Sequence, residues 1–401
     1  MKWDKYQIVA IIYFFFNGLF LPSGLQYTML LAPFLYWWIL KNGGRQIATK
    51  FLMIAVPYTV IHLFYGANIY YNIRSLVMVF AVYVFIYAFH VFVKKKRIQD
   101  YFPTILMINF IFFVLAVILL FTPLKELVWT IRNLTQEILD FPRLELFTYE
   151  PSYYSLLLAP LAIYYILKVL LRPTHKIQLW AIIFSILLPL VFSFSLGVLA
   201  CLFLSFLLLV TFNFKVLLRK KKLFYPIASL FVLMVSAFLV LLIFFPDNPL
   251  FERLGDISAG KDISAQGRTQ FALVLAYQIA EKVNLLFGVG LGQIKVVGLD
   301  IIVNFYKYSG EDALLIRIPN AVGETLAMFG LSGLMIRLGL QIYLFFKTKV
   351  FSNYYRLTVF IFIFIYQFTG SFFSNSAELV MWVIAFTPCC FEFERSNFLK
   401  A

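Results

Sequence analysis

Apolar segments of membrane-crossing length follow one another through most of this chain, and they decide what it can become. About 20 apolar residues are needed to cross the hydrocarbon of a bilayer. No water is present there to satisfy backbone N–H and C=O groups, so a spanning segment must satisfy them within a helix or a closed barrel. The segments read as twelve helices, at roughly 6–21, 25–40, 51–66, 75–93, 102–121, 151–171, 177–193, 195–212, 223–245, 320–346, 355–373 and 377–391. Of 401 residues, 62% are apolar and 13% charged, against about a quarter charged in a soluble domain. The expected fold class is therefore all-α, a polytopic membrane protein. Spans one to nine occupy 1–245 and the last three occupy 320–401. Only Phe194 separates the seventh from the eighth, which leaves a re-entrant pair open there. Lys2 and Lys5 precede the first apolar run without a small-x-small cleavage pattern, so that run reads as a retained span.

Basic residues set the orientation. With the N-terminus inside, inner segments hold 22 of the 34 Lys and Arg, including the runs at 94–97 and 219–222. Of the acids, only Asp4, Asp100, Glu392 and Glu394 accompany them. Both termini are thus expected inside, and the net charge of +15 follows from anionic lipid and this bias. Nothing in it calls for nucleic acid. Cys201, Cys389 and Cys390 lie in or beside spans, so neither a disulfide framework nor a zinc pattern is expected. His62, His90 and His175 read as packing or interfacial residues.

One long polar stretch, 246–319, interrupts the apolar pattern, and the orientation puts it outside. A single large polar loop among short ones is a place for recognition or chemistry. Residues 247–267 read as irregular. An amphipathic helix is expected from Arg268 to about Asn284, with Phe271, Leu275, Ile279 and Val283 on one face. It ends at Leu286-Phe-Gly288-Val-Gly290-Leu-Gly292, where three alternate glycines permit positive φ and the close approach of a ligand or another helix. A second amphipathic helix, interfacial, is expected near 124–140, with Leu124, Leu127, Val128, Ile131, Leu134 and Ile138 recurring at helical spacing. Glu150, Glu324 and Glu378 fall at the starts of spans, where the helix dipole favours a carboxylate and capping is the plain role. Arg337, mid-span, must face protein or water.

These pieces stand in an order that resembles O-antigen and exopolysaccharide polymerases of the Wzy type, within the O-antigen ligase and polymerase superfamily. Four motifs carry the resemblance: Glu150-Pro-Ser-Tyr153; Ser193-Phe-Ser195-Leu-Gly197; Gly267-Arg268 with its helix and the glycine run to Gly292; and Asn320-Ala-Val-Gly-Glu324 followed by Gly330 and Gly333. It covers about residues 145–335. Two departures matter. The ligases carry a histidine before the asparagine, where this chain has Pro319. The repeated Arg-x10-Gly pattern of some polymerases is also missing, since Ser264 and Ile279 stand eleven residues after Arg253 and Arg268.

The resemblance implies a bacterial inner-membrane enzyme of polysaccharide (lipopolysaccharide O-antigen) biosynthesis with its active face in the periplasm. It would transfer an oligosaccharide from an undecaprenyl-diphosphate carrier onto another carrier-linked repeat unit. No cofactor is implied and a metal-independent reaction is expected; a chain-length regulator and a flippase are the partners it suggests, besides membrane lipid. Arginine suits a diphosphate, because a planar guanidinium pairs with phosphate oxygens and stays charged. Arg268 is the main candidate, followed by Arg317 and Arg253. Glu150 and Glu324 are the candidate bases for an acceptor hydroxyl. Gly288, Gly290, Gly292 and Asn320 join the candidate substrate contacts, and Tyr153 and Tyr154, with Tyr306 and Tyr308, could stack on sugars. An O-antigen ligase and a lipid-linked oligosaccharide flippase are the alternatives. A flippase is expected to carry its charges within the spans and short loops on both faces.

Overall fold

The computed structural model describes residues 5–16, 20–21, 25–41, 44, 46–132, 141–171, 176–213, 236, 243–244, 249–306 and 317–396. They are mostly helical. Ile47–Phe64, Ile69–Lys95, Phe102–Leu120, Pro151–Leu171 and Ala321–Lys347 are long and apolar enough to cross a membrane, and Leu196–Phe212, Tyr354–Tyr366 and Ser376–Phe386 are shorter apolar helices. The chain is thus an all-α protein built for a membrane. The expected ninth span, 223–245, lies almost wholly outside the described residues. Between the seventh and eighth segments, Leu188–Phe192 turns into Leu196–Phe212 through Phe194, whose φ is +49°.

Pro151–Leu171 forms the centre. Every residue from Pro151 to Tyr165 is buried, and Tyr354–Tyr366, Leu196–Phe212 and Ser376–Phe386 pack around it. Ile47–Phe64 is apolar around its whole circumference and exposes Met53, Ile54 and Phe64, a surface suited to lipid. The last two helices end sooner than expected. Tyr354–Tyr366 gives way to the polar stretch from Gln367 to Asn375, and Ser376–Phe386 stops before Thr387-Pro388, because a residue preceding proline is disfavoured in the α conformation.

Two loop expectations need correction. Over 124–132 there is no interfacial helix: Lys125–Leu127 is a single 3-10 turn and Trp129–Arg132 is a strand, antiparallel to Phe141–Leu144. Residues 133–140 lie outside the described residues. The aromatic and β-branched run Val128-Trp129-Thr130-Ile131 favours a strand. Burial fixes it, since the Trp129 indole donates to the Ala116 carbonyl at 2.7 Å and Thr130 Oγ1 to Glu145. Nor is 247–267 irregular, for helices cover Pro249–Ser258 and Ile263–Arg268. Pro249 occupies a first helical position, where its missing N–H costs nothing. Asp262 caps the second helix by accepting from the Ala265 amide at 2.9 Å.

The expected amphipathic helix is present as Gln270–Glu281, and it packs against Ala321–Lys347. Ala272 and Ala276, with Leu275 and Ile279, make its buried face, and the small residues let the two backbones approach. The glycine run then clamps the same helix. Val289 and Gly290 donate to the Ala327 and Met328 carbonyls, both at 2.9 Å, while Leu331 and Ser332 donate back to Leu285 and Leu286 at 3.0 Å. Gly330 takes φ +64° and ψ −164°, which kinks Ala321–Lys347 at the contact. A Cβ on Gly288 would lie 2.5 Å from the Met328 carbonyl carbon, and one on Gly330 2.4 Å from that of Leu286.

Below the kink, Arg337 is half-buried and faces protein. It pairs with Glu378, and its guanidinium also donates to Gln367 Oε1 at 3.0 Å and Thr325 Oγ1 at 3.2 Å. Glu378 is therefore an ion-pair partner, and the cap of its helix is Asn375, which accepts from the Ala377 and Glu378 amides. Gly330→Ala should lower stability by about 1–3 kcal/mol from the backbone conformation alone. Gly339→Ala, where nothing lies within 4 Å of the new methyl, should be neutral or stabilising by up to about 1 kcal/mol. Thermal unfolding of the two variants in detergent compares them directly.

Candidate functional site

Three helices begin and one ends around a single polar cavity of about 370 Å³. Pro151–Leu171 starts there with Glu150 just ahead of it, Ala321–Lys347 starts there after Arg317 and Pro319, and Ser376–Phe386 starts there after Asn375. Tyr354–Tyr366 ends there at Tyr366, and the loop helices supply Ile263, Ser264, Arg268 and Tyr306. The opposite ends of these helices carry Lys168, Lys347 and Arg356.

Of the expected site residues, Glu150, Arg268, Arg317 and Tyr153 line this cavity together. Arg268 closes the Ile263–Arg268 helix instead of opening the next one, and its carbonyl accepts from Asn320 Nδ2 at 2.8 Å. Its guanidinium has no acceptor among the described residues. Burial alone would lower its pKa, but Glu150, Tyr366, Tyr149 and Tyr306 raise it on balance, so Arg268 is held as a cation. Arg317 is exposed and lies over the Phe372 ring at 4.7 Å, also without an acceptor among the described residues. Glu150 accepts from Ser152 Oγ through Oε1. Tyr306 approaches so closely that a Cβ on Gly267 would lie 2.0 Å from its hydroxyl, which explains the glycine before Arg268.

The other candidates sit elsewhere. Glu324 stands in the first turn of Ala321–Lys347, outside the cavity wall, with Oε2 accepting from the Phe373 amide. Asn320 is buried and fully engaged. Its Oδ1 accepts from the Gly323 amide at 2.8 Å, while Nδ2 donates to the Arg268 and Phe368 carbonyls at 2.8 and 2.6 Å. It is a positioning residue, because both amide protons are used and the side chain is buried outside the cavity wall. Tyr154 is buried and donates to Asn109 Oδ1 at 3.0 Å, within the helix core. Tyr153 lines the cavity, but its hydroxyl lies 3.1 Å from Ser376 Oγ. Arg253 pairs with Asp262 at 3.4 Å and does not reach the wall. Gly288, Gly290 and Gly292, at φ +75°, +101° and +74°, face protein instead of a ligand, the last two against His62 and Tyr71. His62 Nε2 donates to the Phe287 carbonyl, 2.8 Å away, as a buried packing residue. Tyr308 lies outside the described residues.

Sequence reasoning missed Arg143. It projects from the Phe141–Leu144 strand and donates to the Ser193 and Phe194 carbonyls at 3.2 and 3.4 Å, so the Ser193–Gly197 motif is its seat. Burial pushes its pKa down to about 10, and Arg253 and Arg268 press it further in that direction against Glu150 and Glu145. The only sequence signal was an arginine just past the helix expected near 124–140, of which the described part, 124–132, is a turn and a strand. Tyr366, Ser371 and Phe372 were missed because 355–373 read as one span.

Compared with protein-family models and with curated proteins, the chain matches none. The site therefore rests on its own geometry. Asn320→Ala should cost about 1–2 kcal/mol as a lost cap and should free the Arg268 carbonyl. Asn320→Asp keeps the cap acceptor but turns a carboxylate oxygen onto the Arg268 and Phe368 carbonyls, so it should cost about 1–3 kcal/mol or more and lose function as well. Unfolding midpoints measured beside activity check both variants.

Proposed function

We propose that this protein is a polysaccharide polymerase of the bacterial inner membrane. It joins carrier-linked oligosaccharide repeat units at the periplasmic face, and both termini and the basic helix ends lie in the cytoplasm across twelve spans. The observation that carries the reading is the convergence of two guanidinium groups, Arg268 and Arg317, on one cavity with a carboxylate, Glu150. Neither arginine has a hydrogen-bond acceptor for its guanidinium among the described residues. Two planar cations with donors to spare suit a diphosphate, which offers oxygens for paired hydrogen bonds. The cavity mouth is polar and lies where apolar helices begin, which suits a substrate with a charged head and a lipid tail.

The chemistry follows from these groups. An acceptor sugar hydroxyl attacks the anomeric carbon of the donor sugar, and the bond from that carbon to the diphosphate oxygen breaks. Glu150 takes the hydroxyl proton; its Oε2 has no hydrogen bond from a described residue. Arg268 and Arg317 receive the negative charge that grows on the leaving diphosphate, so they act on the barrier as well as on binding. Glu150 is preferred over Glu324, whose carboxylate is tied to Phe373. Arg143, seated behind the wall, adds positive potential without touching the ligand.

The flippase alternative expects charged side chains lining a path through the spans. Arg337 and Glu378 are such charges, yet they are joined to each other and to Gln367 and Thr325, an arrangement that favours structure over transport. Loss of the gene should leave single repeat units on the surface, seen by electrophoresis of the polysaccharide; absence of every unit would favour a flippase. Arg268→Ala should reduce long-chain polymer at least about 100-fold at normal membrane insertion, and Arg268→Lys should restore little. Full-length chains from the alanine variant would remove Arg268 from the mechanism.

A further inference from the structure

The loop between Tyr354–Tyr366 and Ser376–Phe386 carries one residue whose backbone the fold forces and whose hydroxyl the fold leaves without a partner among the described residues. Ser371 has φ +69°, a left-handed conformation that serine rarely takes and that persists only when the surroundings enforce it. Here the enforcement is visible. On one side, the Ala321 and Val322 amides donate to the Gly370 and Gln367 carbonyls at 3.2 and 3.3 Å, and Asn320 donates to the Phe368 carbonyl. On the other side, the Phe373 amide donates to Glu324. Both flanks of Ser371 are thus tied to the start of the same helix, and the residue between them absorbs the twist.

What the twist achieves is a place in the cavity wall. Ser371 lines the cavity beside Arg268, Arg317 and Phe372. The residue is only 9% exposed, and its hydroxyl oxygen has no hydrogen-bond partner among the described residues. Neither the Ser371 nor the Phe372 amide donates to an acceptor among them. A buried hydroxyl without a partner is uncommon and calls for one. Ser371 belongs to the cavity wall, so a molecule in the cavity is the partner that its hydroxyl can reach by turning about Cα–Cβ. A left-handed residue with free amides around it is also the backbone arrangement that holds anions in other proteins.

We propose that Ser371 is a ligand-binding residue, whose hydroxyl donates a hydrogen bond to an anionic phosphate oxygen of the molecule that occupies the cavity, beside Arg268 and Arg317. The inference rests on the reading of this cavity as a diphosphate site and adds a neutral donor to its two cations. Such a donor orients the phosphate without adding charge that would slow its release.

The test uses the full chain purified in detergent and inorganic pyrophosphate as the probe, with binding followed by titration calorimetry. Ser371→Ala and Ser371→Gly should each weaken pyrophosphate binding by about tenfold or more, the expected range for a lost hydrogen bond to a charged group. Glycine decides the matter, because it adopts the left-handed conformation freely and should unfold at the same or a higher temperature than the parent. If Ser371→Gly binds within about twofold of the parent while Arg268→Ala does not bind, the hydroxyl is not a ligand contact and the cavity reading stands. If the parent chain itself does not bind pyrophosphate, the cavity reading and the Ser371 assignment both fall.

Discussion

The candidate site hangs on the side-chain amide of Asn320. One group caps Ala321–Lys347, holds the carbonyl of Arg268 and holds the carbonyl of Phe368. Those three bonds join a spanning helix, the loop helices and the Gln367–Asn375 turn at one point. Each of these elements then contributes to the same cavity: Arg317 and Pro319, Arg268 and Ser264, Tyr366 and Ser371. Each bond is individually modest, since a net hydrogen bond contributes about 0.5–1.5 kcal/mol. Their value lies in geometry, because a binding group displaced by about an ångström loses much of its effect.

The support beneath that point is stiff for two physical reasons. Backbone bonds between the glycine run and the Gly330 kink fix Gln270–Glu281 and the turn after it against Ala321–Lys347 at a distance that no Cβ permits. Further along the same helix, Arg337 would be a costly charge in the hydrocarbon, and Glu378, Gln367 and Thr325 satisfy it. That network ties the last three apolar helices together directly below the cavity. Polar groups inside the apolar layer thus position the polar groups at its edge.

The apolar helices were legible because their signal is long and one-dimensional. Pro151–Leu171 was readable to its ends from Pro151 and the apolar run; Glu150 stood out at the start of that span, and Arg268 and Arg317 as guanidinium groups of the polar loop. Short-range periodicity misled where tertiary burial outweighs it. Leu124 to Ile138 has helical spacing, yet the buried indole of Trp129 and the pairing with Phe141–Leu144 make a strand at 129–132. The glycine run was read as permitting positive φ and close approach, but sequence could not tell whether a ligand or a helix approaches; Gly288 meets a helix. Asn320 was read as a substrate contact, and it is instead tied to backbone groups on three sides. Ser371 and Tyr366 were invisible in an apolar segment, because the turn that places them in the cavity wall is set by bonds from Asn320 and Glu324, far away in the chain.

Everything proposed for the cavity requires that it open on the translocated side of the membrane. A cysteine at position 317 reads this out, since Arg317 is exposed and Cys201, Cys389 and Cys390 are all buried. The account expects Arg317→Cys to react with a membrane-impermeant maleimide in intact cells, with no gain when the inner membrane is opened. Labelling that occurs only after the membrane is opened would put the arginines in the cytoplasm and contradict it.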